Sequence, residues 1–308
     1  MTNSAPMIGP PSRRYSGHIV RPERWATFSP RRGDIIVCTP SKSGTTWTQT
    51  ILAMLLHRGP DLPMKIPVLS PWIDADIGIP ESEVSAALDA QGGRRVVKTH
   101  TPLDGFPVWD GVIVVTVYRH PLDVFFSLRK HYANMTIARD GDPLLWPLHD
   151  SVRSFLLGKL DREDYSSKTL DSVASHYVQT LETDRTPIPA MLHYSDMTED
   201  SRLAVARLAE IAEIDADDTL IDAVVEATSF ASMKAKAADF VPAGGTGLFR
   251  SDGRFFDSGQ SQKWLGKIDE QVLELYEKRL AELIPHSGAR DWVKLGNHAR
   301  QETYLPPF

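Results

Sequence analysis

The sequence predicts an α/β protein built as a single domain, in which helices flank a central parallel sheet. Three short runs, at 35–38, 95–98 and 111–118, are β-branched and apolar over nearly their whole length. Such runs are typical of strands that are buried on both faces of a parallel sheet. Segments with helical periodicity separate them, as the crossover connections of a parallel sheet require.

The first predicted strand, at 35–38, ends in a polar segment that leads into a helix. This segment reads TPSKSGTT over 39–46, and its proline ends the strand because it removes a ladder hydrogen bond. The helix that follows has apolar residues at helical spacing and ends at Gly59 and Pro60. Unpaired N–H groups and the positive end of the helix dipole meet at such a helix N-terminus. We therefore expect an anion to bind there.

The loop differs from the Walker A sequence of nucleotide kinases, because Lys42 precedes Gly44 and the first glycine of that motif is absent. A phosphate can still be surrounded by the loop amides and by the hydroxyls of Ser43, Thr45 and Thr46. Trp47, in the first helical turn, either stacks on a base or fills the core.

Composition sets broad limits on the function. The 308 residues are 42% hydrophobic and 24% charged, as in an ordinary globular protein, and the net charge of −6 argues against nucleic-acid binding. The single cysteine, Cys38, lies in an apolar strand and is interpreted as a buried structural thiol in a reducing compartment. No apolar leader or membrane-spanning run is found. We expect a cytoplasmic protein that does not span a membrane.

The remaining elements follow in chain order. We expect an N-terminal arm at 1–33, a domain at 34–300 and a C-terminal tail at 301–308. Prolines throughout 60–80 predict an extended excursion rather than a helix, and a helix follows over 81–90.

A further helix is predicted to begin at Pro121 and to run to about Tyr132. Residues 136–166 predict irregular structure, and the glycines of 242–263 predict a mobile loop. The other predicted elements are a helix over 167–181, a strand over 190–194, helices that begin at Thr198 and span 218–227, and a last helix that carries Val272, Tyr276, Leu280 and Leu283.

Lys98, Thr99 and His100 end the second predicted strand. Histidine is the side chain best suited to moving a proton near neutral pH. A hydrogen-bonded structural role is the alternative for a lone histidine. A position at the same sheet edge as Lys42 favours a catalytic role for His100.

Arg119 ends the third predicted strand, and Ser127 lies on the helix that follows. Helical spacing places the Ser127 hydroxyl on the face that looks toward the strand end. A guanidinium and a hydroxyl together suit a phosphate monoester. The alternative is an ion pair between Arg119 and Asp123 beside an inert Ser127.

These blocks resemble the motifs of the cytosolic-type sulfotransferases, which use 3′-phosphoadenosine 5′-phosphosulfate (PAPS) as donor and release 3′-phosphoadenosine 5′-phosphate (PAP). SKSGTTW resembles the family's 5′-phosphosulfate loop, KTHTPLD the segment with the catalytic base, and YRHPLDVFFSLRKHY the 3′-phosphate motif. Further along, HYSDM resembles the segment whose tyrosine lies near the adenine, and TSFASMK one that holds the nucleoside. All five stand in the family's order.

The resemblance implies a P-loop-like phosphosulfate site and in-line transfer of a sulfuryl group from PAPS to an acceptor hydroxyl. It implies that His100 is the base, that Lys42 and Lys98 assist, and that no metal is needed. The nucleotide contacts that it implies are Lys42, Ser43, Gly44, Thr45, Thr46, Trp47, Arg119, Ser127, Tyr194, Ser229, Phe230, Met233, Ser258 and Gly259. SPWID, KTHTPLDG and PDLP most resemble bacterial members, including members that act on glycolipids.

One motif departs from the family pattern. The family ends its site with Arg-Lys-Gly-x-x-Gly-Asp-Trp, whereas alignment on Trp264 places Asp257 and Ser258 at the positions of the Arg-Lys pair. A carboxylate beside a phosphate dianion is repelled. The cations that we consider as replacements are Arg250, Arg254 and Lys263.

Two other functions stay open at this point. A metal-dependent nucleotide kinase requires a Walker lysine, which the sequence lacks. A non-catalytic nucleotide-binding module is favoured by the altered segment at 257–264 and disfavoured by the presence of His100 and Lys42. The acceptor is expected to be a phenolic, alcohol or glycolipid hydroxyl on a small or lipid-like molecule, and the oligomeric state is left open. The aromatic residues considered for the acceptor pocket are Trp72, Phe106, Trp109 and Trp146, with a position in the core as the alternative for each.

Overall fold

The central sheet contains β2 (Ile35–Cys38), β3 (Val96–Thr99), β5 (Ile113–Tyr118) and β6 (Ala190–His193). The computed structural model describes residues 4–136, 141–166, 168–181, 189–242 and 248–297. The strands are parallel and lie in the order β3–β2–β5–β6. The predicted α/β class with a parallel sheet is confirmed, and the carboxyl ends of the strands meet at one edge.

Helices surround the sheet. In chain order those in the described residues are α1 (Thr45–Leu56), α2 (Ile66–Leu69), α3 (Glu81–Asp89), α4 (Pro121–Asn134), α5 (Leu148–Leu157), α6 (Leu170–Leu181), α7 (Tyr194–Glu199), α8 (Ser201–Ile211), α9 (Asp218–Ala227), α10 (Phe230–Ala235), α11 (Ala237–Phe240), α12 (Glu270–Leu283) and α13 (Ser287–Leu295).

Both faces of the sheet are buried, because successive side chains of a strand point to opposite faces. In β2, Ile35 and Val37 pack into the core formed with α1, α8 and α9. Ile36 and Cys38 pack into a second core with Trp25. A third core joins α4, α5, α6, α12 and α13 around the end of β5. Burial on both sides explains why the strands are apolar at every position.

The expectation of an extended excursion without helix at 60–80 is wrong. This segment contains α2, with Pro67 in its first turn, where the missing N–H has no intrahelical partner to lose. Beyond α2 the chain runs beside β3, since Trp72 forms a parallel bridge with Lys98.

The expectation of irregular structure throughout 136–166 is also wrong. Helix α5 begins directly after Pro147 and buries Val152, Phe155 and Leu156. Of the two prolines that suggested a loop, Pro147 directly precedes the first residue of α5, and Pro143 begins a 3₁₀ turn at Pro143–Leu145; proline is tolerated at both positions.

Three element boundaries also differ from the predictions. Thr198 lies inside α7, and Asp200 caps α8 instead by accepting a hydrogen bond from the Leu203 amide at 2.8 Å. Helix α12 is not the last helix, because α13 follows it. The predicted glycine-rich loop at 242–263 lies outside the described residues over 243–247 and otherwise contains a single 3₁₀ turn at Asp252–Phe255.

The N-terminal segment packs closely against the rest of the chain. Strand β1 (Met7–Gly9) pairs with β4 (Val108–Trp109), and Trp25 stacks on Phe106 with ring centroids 4.8 Å apart. The boundaries at 1–33 and 34–300 stay a prediction, and the predicted tail at 301–308 lies outside the described residues.

A buried ion pair fixes the start of two central strands. Asp34, just before β2, accepts a hydrogen bond from the Arg95 amide at 2.8 Å and pairs with the Arg95 guanidinium at 2.6 Å. The Asp34 carboxylate also accepts from the Arg31 amide at 2.8 Å. The two paired side chains are 1% and 0% exposed, so each charge depends on the other for its solvation.

We predict that Asp34→Ala destabilises the protein by about 3–5 kcal/mol, because it leaves the buried Arg95 charge without its buried carboxylate. The other carboxylate near Arg95, that of Asp89, is exposed and lies 3.9 Å away. Urea unfolding of the wild type and the variant measures this. Asp110→Ala is the matched control, since Asp110 pairs with Arg32 at the surface, where about half of each side chain is exposed. We expect the control to cost no more than about 1 kcal/mol; equal losses in both variants would contradict the argument.

Candidate active site

A cavity of about 710 Å³ opens where the carboxyl ends of β2, β3 and β5 meet. It brings together nearly all of the site residues that the sequence predicted, from six separate segments of the chain. Those that line it are Lys42, Gly44, Thr45, Thr46, Trp47, Lys98, His100, Arg119, Ser127, Tyr194, Ser229, Phe230, Met233, Ser258 and Gly259. Ser43 does not line it and is fully buried in the loop below.

The loop after β2 is shaped to hold an anion. Lys42 has a φ of +66° and Gly44 a φ of +108°, so two residues of the loop adopt left-handed conformations, an arrangement that concentrates at ligand sites. Gly44 directly precedes α1, and a Cβ there would lie 3.0 Å from the Tyr194 ring. The buried Ser43 Oγ has no hydrogen-bond partner among the described residues. An orphaned hydroxyl and the free amides of α1 fit a phosphate group.

Lys42 lies deep in the cavity, with its Nζ 4.4 Å from the centre of the Phe255 ring. Burial, followed by the charges of Arg119, Lys263 and Lys98, lowers the pKa of Lys42 to about 7. Lys98 lies over Trp72 at 5.1 Å, and burial lowers its pKa to about 8. Both ammonium groups are therefore poorly solvated, and an anion that enters the cavity stabilises their charged forms.

His100 is held in a defined orientation. Its Nδ1 lies 2.8 Å from the Thr39 carbonyl oxygen, which can only accept a hydrogen bond, so Nδ1 carries the proton and Nε2 is left as the acceptor. Burial, with the charge of Lys98, lowers the pKa of His100 to about 3. Tyr165 donates to the His100 carbonyl oxygen at 2.9 Å, and the Trp72 ring lies edge-on to the imidazole at 4.6 Å.

The strand end that carries His100 is fixed by a buried carboxylate that sequence reasoning missed. Thr99 and Thr101 donate their hydroxyls to Asp74 at 2.8 and 2.6 Å. Burial raises the pKa of Asp74. Asp74 lies within the proline-rich segment at 60–80, so its pairing with β3 depends on a long-range approach that local patterns do not reveal.

Arg119 joins three parts of the site. Its guanidinium donates to the Lys42 carbonyl oxygen at 3.3 Å and to the Gln260 carbonyl oxygen at 2.7 Å, and it lies 4.2 Å from the centre of the Tyr194 ring. Its buried Nε has no hydrogen-bond partner in the described part of the chain. Asp123, considered as its partner from the sequence, instead accepts the amides of Gln262 and Lys263 at 2.8 and 2.7 Å.

The carboxylate of the altered segment at 257–264 is compensated by two lysines, one in the segment and one on α4. Asp257 accepts from Lys263 Nζ at 2.6 Å and also from Lys130. Although burial raises the pKa of Asp257, these two hydrogen bonds hold it below its usual range. Lys263 lines the cavity and is 7% exposed, whereas Arg250 and Arg254 are exposed side chains. Two lysines therefore accompany the carboxylate that seemed unfavourable in the sequence.

Aromatic side chains form the wall beside the first turn of α1. Trp47 and Tyr194 meet edge to face at 5.9 Å, and Tyr194 donates to the Gly259 carbonyl oxygen at 3.2 Å. Gly259 has a φ of +65°, and a Cβ there would lie 2.8 Å from the Phe230 ring. Flat rings on close-packed backbone are suited to holding a planar base.

The expected acceptor aromatics are only partly at the cavity. Trp72 lines it, but Phe106 and Trp109 are wrong, because they pack in the buried core with Trp25. Trp146 is wrong as well, since it is 41% exposed outside the cavity lining. Sequence reasoning missed other residues that line the cavity and are candidates for acceptor contact. They include His131, Tyr132, Met135, Phe249 and Phe255.

Within the described residues, no three His, Cys, Asp or Glu side chains lie close enough together to hold a metal ion. None of the helices described here is both long and apolar enough to cross a bilayer.

Comparisons with known proteins agree on one family. A model of the sulfotransferase domain matches residues 32–288. A protein described as a glycolipid sulfotransferase from Mycobacterium bovis (strain BCG / Pasteur 1173P2) is 32% identical over 303 residues, covering 87% of this chain and 92% of the relative. Human sulfotransferase 1E1 is 27% identical over 212 residues, covering 67% of this chain and 68% of the relative.

Solved structures share the fold. Mouse sulfotransferase SULT7A1 complexed with PAP has a TM-score of 0.69 at 19% identity, over 90% of this chain and 93% of that one. Retinol dehydratase in complex with androsterone and PAP has a TM-score of 0.66 at 21% identity, over 85% and 83% of the two chains.

We predict that His100 stays neutral at pH 5, with its proton on Nδ1. Its pKa in the folded state lies below that of a free histidine, so protonation is disfavoured throughout the range from about pH 6.5 down to about pH 3. Long-range ¹H–¹⁵N spectra of histidine-labelled protein measure both features, and the His100→Gln variant assigns the signal. In urea-unfolded protein the same histidine should titrate near pH 6.5. Half-protonation near pH 6.5 in the folded protein would refute the prediction.

Proposed function

The chain belongs to the sulfotransferase domain family, and we propose that His100 is the base with which it transfers a sulfuryl group from PAPS to an acceptor hydroxyl. One observation carries this proposal. An imidazole whose Nδ1 is bound to the Thr39 carbonyl lies in the same cavity as the Lys42 loop and the Arg119–Ser127 pair. A proton acceptor thus shares one space with two sites for phosphate groups.

PAPS supplies the sulfuryl group and leaves as PAP. We propose that Nε2 of His100 takes the proton of the acceptor hydroxyl in an in-line attack. Lys42 and the amides at the start of α1 stabilise the negative charge that grows on the leaving phosphate, as preorganised donors do in phosphoryl transfer. Lys98 lies beside His100 and stabilises charge on the transferring oxygens. Cations and N–H donors supply the charge neutralisation that kinases obtain from Mg²⁺.

In this proposal, Arg119, Ser127 and Lys263 bind the 3′-phosphate of the donor. Lys263 lines the cavity. Its position is fixed by the ion pair of its side chain with Asp257 and by the hydrogen bond that its amide donates to Asp123. Lys130 of α4 and Lys263 set two positive charges against the single Asp257 carboxylate, so with Arg119 the site keeps an excess of positive charge. A site of this kind favours a bisphosphate nucleotide over a monophosphate.

For the acceptor we propose an amphiphilic molecule with a hydroxyl head group, such as a glycolipid. The cavity wall combines apolar rings, including Phe249 and Phe255, with the reactive groups near His100. Behind Trp72 and Lys98 lies a smaller cavity of about 80 Å³, lined mostly by apolar side chains, which come from α2, α3, α11 and the segment between α2 and α3. The 32% identical mycobacterial relative bears the name glycolipid sulfotransferase, which supports this class. On the evidence of its single buried cysteine, we propose that the protein works in the cytoplasm.

We predict that His100→Ala lowers turnover by at least about a hundredfold while PAP binds with unchanged affinity, because the variant removes a proton acceptor and no phosphate contact. Sulfated product from radiolabelled donor measures turnover over a panel of phenolic, alcohol and glycolipid acceptors, and calorimetry measures PAP binding. Wild-type turnover in the variant would remove His100 from the mechanism. Loss of PAP affinity in step with turnover would indicate a structural role instead.

We predict that Lys263→Ala weakens PAP binding by about tenfold or more and changes 5′-AMP binding by less than about twofold. The reason is the loss of a charge-assisted hydrogen bond to the 3′-phosphate, which 5′-AMP lacks. Calorimetry with both nucleotides, with and without Mg²⁺, measures the difference. Arg254→Ala is the matched control, because Arg254 is an exposed cation of the same segment. An unchanged PAP affinity in Lys263→Ala would show that another group binds the 3′-phosphate.

A further inference from the structure

One face of α4 runs along both halves of the cavity. Ser127, Leu128, His131 and Tyr132 line it at the i, i+1, i+4 and i+5 positions of a single helical face, and Met135, the first residue after α4, lines it as well. His131 is one turn beyond Ser127, which corresponds to about 6 Å along the helix axis. Ser127 lies on the side proposed for the donor, so His131 lies one step nearer the wall proposed for the acceptor.

The surroundings of His131 are largely aromatic. Its ring centroid lies 5.2 Å from that of Phe249 and 5.6 Å from that of Phe255, the ring that Lys42 also approaches. Burial, followed by the charges of Lys42, Lys98 and His100, lowers the pKa of His131 well below its ordinary value. The ring is therefore neutral near pH 7, and it lies close enough to Lys42 and Lys98 for their charges to influence its pKa.

This imidazole has hydrogen-bonding capacity at Nδ1 that the described residues do not use. Its buried Nδ1 has no hydrogen-bond partner among the described residues. A neutral imidazole offers one donor and one acceptor, and a buried ring nitrogen without a partner is unfavourable. A phenylalanine would fill the same space among the aromatic rings without burying a nitrogen that lacks a hydrogen bond. A polar ring at the cavity wall is therefore best explained by a polar group of the ligand.

We propose that His131 is a specificity-determining residue that hydrogen-bonds a second hydroxyl of the acceptor while His100 receives the proton of the first. The enzyme then selects acceptors in which two hydroxyls are neighbours, as on a sugar ring, over acceptors with an isolated hydroxyl. This inference rests on the proposed sulfuryl transfer and adds to it that His131 recognises the head group of the acceptor.

The test compares two acceptors with the same alkyl chain. n-Octyl β-D-glucoside carries neighbouring ring hydroxyls, and 1-octanol carries one hydroxyl. We expect His131→Phe to lower kcat/KM for the glucoside by about tenfold, the effect of one lost hydrogen bond, and to leave kcat/KM for octanol within about twofold. His131→Asn, which restores a donor and an acceptor near Nδ1, should recover part of the glucoside activity. His149→Phe is the control, because His149 is an exposed histidine on α5 outside the cavity lining.

The affinity for PAP is measured in every variant, so that a folding defect is separated from a recognition defect. Equal losses for the two acceptors in His131→Phe, or no loss for either, would overturn the inference and leave the proposed function intact. Failure of the wild type to sulfate either acceptor or any member of the acceptor panel, despite PAP binding, would overturn both. A selective loss for the glucoside with unchanged PAP affinity would support the role of His131.

Discussion

The site depends on bringing four largely buried cationic side chains, those of Lys42, Lys98, Arg119 and Lys263, to the lining of a single cavity. Burial lowers the pKa of all three lysines, to about 7 for Lys42 and about 8 for Lys98. Like charges in a region of low dielectric constant repel, so this arrangement is unfavourable until an anion enters. A nucleotide with two phosphate groups relieves that repulsion at both ends of the cavity. The electrostatics therefore select the charge of the donor before any base-specific contact is considered.

Backbone geometry makes this crowding possible. Parallel pairing of β2 with β3 and β5 brings three strand ends to one edge, and each end carries one part of the site. Arg119 then donates to carbonyl oxygens of the Lys42 loop and of residue 260, and Asp123 accepts two amides of the 257–264 segment. These bonds to backbone fix the loops without neutralising the cations. The sheet and the hydrogen bonds that fix its loops thus keep the four cationic side chains in the cavity.

The parts that could be predicted from the sequence are those set by neighbouring residues. Buried strands and the glycine–lysine loop show in short windows, and nearly all of the residues assigned to the site by motif do line one cavity. Predictions failed where distant contacts decide. The prolines before α2 and α5 resembled loop signals because their helical surroundings come from tertiary packing. Phe106 belongs to the core because Trp25, far away in sequence, stacks on it. Asp257 seemed harmful because its neutralisation by Lys130 comes from another helix.

The low pKa of His100 also has a role in this arrangement. Near pH 7, a base with a pKa of about 3 is neutral and free to accept a proton, but it accepts one only weakly. The same lysine charges that lower its pKa are compensated once an anionic nucleotide lies in the Lys42 loop, and nearby negative charge raises the pKa of a histidine. In the proposed mechanism, its proton affinity therefore rises when the donor is in place, when removal of the acceptor proton is useful. Because Nδ1 is bound to the Thr39 carbonyl oxygen, that gain is expected at Nε2, the nitrogen left without a proton. The proposed mechanism thus couples donor binding to base strength through charge.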